Sequence, residues 1–194
     1  MRWIGLICGT TMFGLTACQQ ASTRAASGVG EAMVVPVYDR DGAMLRPEGY
    51  RHWVFVGATL GLRYPDDGEP AADEGPGTFH NVYLQPEAYA YYMENGVFPE
   101  KTILAMETYE TGTREPKSNL TGGYFENELS GFAAAVKDRE HFETGWAYFS
   151  FTGSGSRLAN KATAFPKERC YDCHAEHGAN DNVFTQFYPI LERQ

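Results

Sequence analysis

The feature that most constrains this chain is the segment Cys170-Tyr171-Asp172-Cys173-His174, which lies about twenty residues before the C-terminus. On a helical turn, two cysteines three residues apart can bond both vinyl groups of one haem as thioethers. The histidine that follows then lies under the porphyrin, with its imidazole positioned for one axial site on the iron. The pattern predicts one covalent haem c, attached through Cys170 and Cys173, with His174 as the iron ligand.

Three other uses of these residues stay open on the motif alone. The cysteine pair also suits a redox dithiol, although such pairs usually lie early in a fold, near a βαβ unit. Cys170, Cys173 and His177 could bind zinc, but no second ligand pair at zinc-finger spacing follows. A plain disulfide between the two cysteines is the third alternative.

The N-terminal residues predict export. Arg2 is followed by an apolar run over residues 3–16, which is too short to span a bilayer comfortably and is typical of a secretory signal. The run ends in Leu15-Thr16-Ala17-Cys18, which resembles a bacterial lipobox whose cysteine is acylated. Ordinary cleavage nearby, giving an unanchored periplasmic protein, is the alternative. Gln19 in place of aspartate favours the outer membrane, and haem c is attached outside the cytoplasm.

This interpretation accounts for all four cysteines. Cys8 leaves with the signal peptide of residues 1–17, Cys18 carries lipid, and Cys170 and Cys173 carry haem. Residues 18–33 are rich in small and polar residues and predict a flexible tether. Residues 34–194 have the length of one domain. We expect no transmembrane helix in the mature chain.

The charge of the mature chain excludes some classes of partner. Without residues 1–17 the chain has 15 basic and 25 acidic residues, a formal charge of −10. Such an acidic protein is poorly suited to nucleic acids or anionic lipid surfaces. The charge suits a periplasmic domain, and it could steer a basic redox partner protein or serve only solubility.

Strand signals dominate the domain. Residues 52–57, 79–84, 102–109 and 146–151 are dense in β-branched and aromatic residues, and 122–126 is a weaker candidate. Residues 65–77 predict an acidic surface loop. A short helix is expected over 86–95, with Pro86 in its first turn and Gly96 at its end. Leu129, Phe132, Ala133 and Val136 predict a longer helix over 129–142. We expect an α+β domain, mainly an antiparallel sheet with packed helices and a C-terminal haem attachment segment.

Several stretches of the chain resemble the cytochrome P-460 family, which is related to the β-sheet cytochrome c-prime. They include Phe79-His80-Asn81-Val82-Tyr83 and Gly96-Val97-Phe98-Pro99. The others are 50–57, 86–89, 164–166, 170–174 and 183–189, so the resemblance runs through nearly the whole domain in order. It implies a mostly antiparallel β domain, commonly a homodimer, with one haem c and His174 as its proximal ligand. It also implies a distal side open to small ligands such as nitric oxide or hydroxylamine.

The resemblance also bears on the distal side. Members that oxidise hydroxylamine carry a lysine cross-linked to the porphyrin, on the strand after the Phe-Pro motif. In this chain Met106 stands at that position, and Lys101 lies five residues earlier, on the opposite face of a strand. An un-cross-linked haem is therefore expected. Met106 either packs in the core or pocket, or serves as a second axial ligand.

Further distal candidates come from the aromatic and histidine residues, each of which also fits plain core packing or surface exposure. Phe79 and His80 are the two we single out with Met106, and His80 is the histidine best placed for a sixth ligand. Lys161 fits an exposed loop better than the distal side. The remaining aromatic and histidine candidates are Tyr83, Phe98, Tyr148, Phe151, His52 and His141, whereas His177 lies too near the attachment motif to reach the other haem face.

Three functions fit these features. The first is a periplasmic haem c protein that binds small nitrogen oxides, above all nitric oxide, and passes single electrons. The second is an oxidoreductase acting on hydroxylamine or nitric oxide, which the missing lysine disfavours. The third is a pure electron-transfer cytochrome with six-coordinate iron. The sequence favours the first function, names no catalytic residue and leaves enzymatic activity open.

Overall fold

The chain is described here from a computed structural model that covers residues 33–62, 75–112, 123–154 and 157–193. The predicted signal peptide, the lipobox, nearly all of the tether and most of the 65–77 loop lie outside these residues. The strands are β1 (Met44–Leu45), β2 (Val54–Leu60), β3 (Phe79–Leu84), β4 (Ile103–Gly112), β5 (Phe125–Lys137), β6 (Trp146–Ser150) and β7 (Lys161–Ala162). The α-helices are α1 (Pro86–Asn95) and α2 (Tyr171–His177).

The predicted fold class is confirmed. Strands β2 to β6 form one antiparallel sheet in the order β2-β3-β4-β5-β6, so neighbours in sequence are neighbours in the sheet. A smaller antiparallel pair joins β1 and β7. None of the helices in the described ranges is long and apolar enough to cross a membrane.

Two cores lie on the two faces of the five-stranded sheet because successive side chains of a strand point to opposite faces. We call the first face the haem-side face, since the segment around Cys170 packs there together with α1. Its side chains include Val82, Leu84, Leu104, Met106 and Tyr148. The other face, which we call the rear face, buries Ile103, Ala105, Phe132, Ala134 and Phe149.

Helix α1 has the predicted bounds. Pro86 lies in its first turn, where a missing N–H costs nothing, and Glu87 complements the helix dipole. Gly96 ends the helix in a left-handed conformation, with φ of 76° and its N–H donated to the Tyr92 carbonyl. The Tyr92 ring stacks on Phe98 at a centroid distance of 4.2 Å, which fixes α1 against the haem-side core.

The helix predicted over 129–142 is wrong, because most of this stretch belongs to β5. Strand β5 also includes Phe125 and Glu126 from the weaker strand candidate. Phe132, Ala134 and Val136 alternate onto the rear face, and Ala135 faces the haem side. Both β4 and β6 pair with this strand, so the sheet overrides the local preference of its alanines for helix.

A buried carboxylate lies on the rear face beside Met106 in sequence. Glu107 is 1% exposed, and its Oε1 accepts hydrogen bonds from the Tyr50 hydroxyl at 2.6 Å and from Arg51 Nε at 2.8 Å. The Tyr83 hydroxyl donates to Oε2 at 3.3 Å. Burial, together with this carboxylate, raises the pKa of Tyr83 to about 12. The Arg51 guanidinium neutralises the buried charge of Glu107.

Gln85 gives the clearest test of how the sheet and α1 are joined. It is fully buried, its Oε1 accepts from the Ile103 N–H at 2.6 Å, and its Nε2 donates to the carbonyls of Val34 and Lys101. Gln85→Ala leaves these main-chain groups unpaired. We expect the free energy of unfolding, measured with denaturant, to fall by about 2–4 kcal/mol.

Asn95 is the matched control for this substitution. Its amide donates to the Tyr91 carbonyl at 2.8 Å, at the exposed end of the same helix. Asn95→Ala should change the free energy of unfolding by less than about 1 kcal/mol, because water replaces the lost partner. Equal losses in the two variants would contradict the role assigned to Gln85.

Candidate haem-binding site

The predicted attachment motif forms the start of α2. Cys170 precedes the helix, Cys173 and His174 lie in its first turn, and Asp172 complements the positive helix end. The Gly178 N–H ends the helix by donating to the His174 carbonyl at 2.9 Å. Cys170 and Cys173 are free thiols, both half-buried. Burial raises the pKa of the Cys170 thiol, so this thiol is protonated at neutral pH.

The zinc alternative finds no support in this geometry. In the described ranges, the one group of three His, Cys, Asp or Glu side chains with converging donor atoms is Asp138, Glu140 and His141. His177 lies at the exposed end of α2 and does not join the two cysteines in such a group.

The His174 ring is held on three sides. Its Nδ1 lies 3.0 Å from the Asn182 carbonyl oxygen, and since a carbonyl only accepts, Nδ1 carries the proton. The rings of Tyr148 and Phe184 contact it, with centroid distances of 4.2 and 4.6 Å. Burial lowers the pKa of His174, against the opposing effect of the carbonyl. The ring is therefore neutral at pH 7, and its Nε2 has a free lone pair, which is the form that binds iron.

Met106 lies on the same side of the sheet as the attachment motif. Its side chain packs against the haem-side core, to which Cys170 and Tyr171 also belong. The neighbouring positions on β5 are small, since Met106 pairs with Ala133 and Thr108 pairs with Gly131. This face therefore has the flexible Met106 thioether next to small residues of β5.

His80 and Phe79 face opposite ways because they are adjacent on β3. His80 lies on the haem-side face, since it alternates with Val82, which packs there. Phe79 alternates with Asn81 and Tyr83 on the rear face. The structure thus brings His80 and Met106 to the face of the attachment motif and does not bring Phe79.

Two buried polar atoms on the haem-side face have no hydrogen-bond partner in the described residues. They are Nδ1 of His80 and Oγ1 of Thr59, which lies opposite His80 on β2. Burial lowers the pKa of His80, so its ring is neutral at pH 7. Two more such atoms are Nδ2 of Asn182, the residue whose carbonyl faces His174, and Oδ1 of Asn81, which lies on the rear face. Buried polar atoms without partners point to a group that completes the site.

The other distal candidates divide between the two faces or lie outside the site. Phe98 and Tyr148 pack in the haem-side core, whereas Tyr83 and Phe151 belong to the rear face. His52 is exposed, and His141 pairs with Asp138 at 2.9 Å. Lys101 pairs with Asp138 and Glu140, and Lys161 pairs with Asp39 at 2.5 Å.

Sequence reasoning missed the residues that hold the His174 ring. Asn182 acts through its main-chain carbonyl, which any residue could supply, and Phe184 had no recognisable spacing to the motif. Tyr148 was noted only as a possible pocket aromatic, whereas its ring contacts His174 and its hydroxyl donates to the Asn182 carbonyl at 3.2 Å.

The residues present fit a haem. Two free thiols flank the first turn of α2, a neutral imidazole has its Nε2 lone pair free, and an apolar sheet face lies next to them. Iron bound to haem accepts imidazole nitrogen as an axial ligand, and an apolar lining suits the porphyrin.

Comparison with known proteins agrees with this geometry. The cytochrome P460 family model matches residues 47–185, which include the five-stranded sheet, α1, both cysteines and His174. A comparison with curated proteins gave no match. Because the match covers most of its length, this chain belongs to the cytochrome P460 family and is a haem protein.

Proposed function

We propose that the chain carries one haem c, attached covalently through Cys170 and Cys173 and ligated by His174. The observation that carries this proposal is the hydrogen bond from His174 Nδ1 to the Asn182 carbonyl, which leaves the lone pair of Nε2 free to bind iron. The two thiols lie at the same helix start and are free to form thioethers. His174 is the metal ligand in this proposal.

The haem-side face supports a function in binding small nitrogen oxides, above all nitric oxide. Haem iron supplies one site for a small ligand and a one-electron couple when it is bound. Val82, Leu84 and Leu104 are buried apolar side chains of this face, and an apolar environment suits an uncharged diatomic ligand. His80 adds one neutral polar group to the same face. We propose that the protein binds nitric oxide and exchanges single electrons with a redox partner protein.

Electron transfer alone is the second candidate, and the position of Met106 favours it. Its thioether lies on the haem-side face, so it is available as a second axial ligand. A methionine ligand would occupy the site that nitric oxide needs. Hydroxylamine oxidation is the third candidate, but the position of the cross-linking lysine is held by Met106, and Lys101 is engaged by Asp138 and Glu140.

An absorption spectrum of the haem-loaded protein, before and after adding nitric oxide, tests the proposal. We expect an ordinary c-type reduced spectrum that changes on adding nitric oxide, because one axial site is open. His174→Ala should abolish stable axial ligation. A six-coordinate spectrum indifferent to nitric oxide would favour pure electron transfer. A strongly red-shifted reduced Soret band would indicate a modified porphyrin and restore hydroxylamine oxidation.

Met106→Ala separates the first two candidates. If Met106 only lines the pocket, the spectrum of the five-coordinate iron should barely change, because the thioether makes no bond to iron. Phe79→Ala is the matched control, since Phe79 lies on the neighbouring strand β3, three residues from Val82, the partner of Met106, but on the rear face. A change from six- to five-coordinate iron in Met106→Ala, with Phe79→Ala like wild type, would identify Met106 as a ligand.

We further propose that the protein is exported to the periplasm and anchored by an acylated Cys18, most readily in the outer membrane. The lipobox-like Leu15-Thr16-Ala17-Cys18 and the need to attach haem c outside the cytoplasm support this location. Cells expressing the full chain should incorporate labelled fatty acid into it, and Cys18→Ser should remove the label. Equal labelling of both proteins would contradict the anchor.

A further inference from the structure

A turn with two residues in the left-handed conformation presents the carbonyl that holds His174. Asn180 and Val183 close the turn through reciprocal main-chain hydrogen bonds of 3.4 and 2.9 Å. The two residues between them, Asp181 and Asn182, have φ of 49° and 61°, in the left-handed region. Glycine favours this region, and Asp and Asn are the non-glycine residues that adopt it most readily.

The Asp181 carboxylate is the element that ties this turn to the sheet. Its Oδ2 accepts from Lys137 Nζ at 2.6 Å and from the Phe98 N–H at 2.9 Å. Its Oδ1 accepts from Trp146 Nε1 at 3.3 Å. Three separate parts of the domain therefore converge on one carboxylate: the end of β5, the start of β6 and the segment after α1.

Lys137 makes its ion pair with Asp181 from a buried position. Its side chain is 4% exposed, and besides Asp181 its ammonium donates to the Phe98 carbonyl at 2.7 Å. A buried ammonium needs a counter-charge, since desolvation is costly for an unpaired ion. The Lys137–Asp181 ion pair therefore holds Asp181 in place, and with it the turn between Asn180 and Val183.

We propose that Asp181, anchored by Lys137, is a positioning residue that sets the strength of the hydrogen bond from His174 to the Asn182 carbonyl and thereby the reduction potential of the iron. The inference rests on the proposed function, because it requires His174 as the axial ligand. The hydrogen-bond partners of the Asp181 carboxylate are Lys137, Phe98 and Trp146, so it acts on His174 through the main chain of the next residue.

The chemical effect follows from the direction of this hydrogen bond. A carbonyl that accepts from Nδ1–H draws the proton away from the ring and makes Nε2 a stronger donor. A stronger donor favours ferric over ferrous iron and lowers the potential. Loosening the turn weakens the bond, so the potential should rise and the iron–histidine bond should become weaker.

Two substitutions at Asp181 separate the anchor from the backbone strain. Asp181→Ala removes the carboxylate and keeps a side chain in the left-handed conformation. Asp181→Gly also removes the carboxylate, but glycine adopts this conformation readily, so the turn itself is not destabilised. A third substitution, Asp181→Asn, keeps one acceptor oxygen, which can serve either Trp146 or the Phe98 N–H but not both, and loses the charge that pairs with Lys137.

The measurements are the midpoint potential and the iron–histidine stretching frequency of the haem-loaded protein, with denaturant stability alongside. We expect both Asp181→Ala and Asp181→Gly to shift the potential upward and the stretch to lower frequency. Asp181→Asn should recover part of both shifts. Glu107→Gln is the control, since it alters a buried, ion-paired carboxylate on the rear face and should lower stability without moving the potential.

Two results would overturn the inference, and they differ from each other. If the Asp181 variants lose stability but keep the wild-type potential and stretch, Asp181 has only a structural role, and the proposed function stands. If His174→Ala keeps the stretching band and the potential, His174 is not the ligand, and both the proposed function and the inference fall.

Discussion

The alternation of side chains along β4 is the constraint on which the rest of the structure depends. Met106 and Glu107 are neighbours in sequence, yet one faces the attachment motif and the other lies 1% exposed among Tyr50, Arg51 and Tyr83. A shift of one residue in the register would exchange them. It would place a carboxylate against the haem-side core and a thioether against Arg51. The pairing of Met106 with both Val82 and Ala133 prevents this exchange.

Much of the fold followed from sequence because the strands carry local signals. Aromatic and β-branched residues marked β2, β3, β4 and β6, while Pro86 and Gly96 marked the bounds of α1. The prediction failed at β5, where Leu129, Phe132, Ala133 and Val136 satisfy helical spacing. Phe132, Ala134 and Val136 satisfy the two-residue period equally well, and alanine favours a helix where nothing else decides. Only the pairing with β4 and β6 decides between them, and that pairing is not a local property.

The candidate site, too, has a part that local sequence patterns predict and a part that they do not. The attachment motif is local, so Cys170, Cys173 and His174 were recognisable at once. The Asn182 carbonyl was not, since a main-chain acceptor has no residue preference. Phe79 and His80 were both proposed for the distal side, although alternation along a strand allows only one of two neighbours to face it. The sequence alone thus contained a reason to choose between them, and the packing of Val82 puts His80, not Phe79, on the haem-side face, whereas the distal role of either residue stays a prediction.

The two sides of the proposed haem site differ in how firmly they are held, and this difference bears on function. Beside His174, Asp181 and Asn182 adopt left-handed conformations, which cost most non-glycine residues roughly 1–2 kcal/mol and cost Asp and Asn less. Glycines would remove this cost, but a glycine at 181 would also remove the carboxylate that binds Lys137, Trp146 and Phe98. The haem-side face of the sheet offers the flexible Met106 and the neutral His80 next to small residues of β5. If His174 ligates the haem iron as proposed, its rigid support would hold the electronic state of the iron constant, and the softer sheet face would admit a small ligand with little rearrangement. Such an asymmetry suits a protein that binds a diatomic molecule better than one that clamps the iron between two protein ligands.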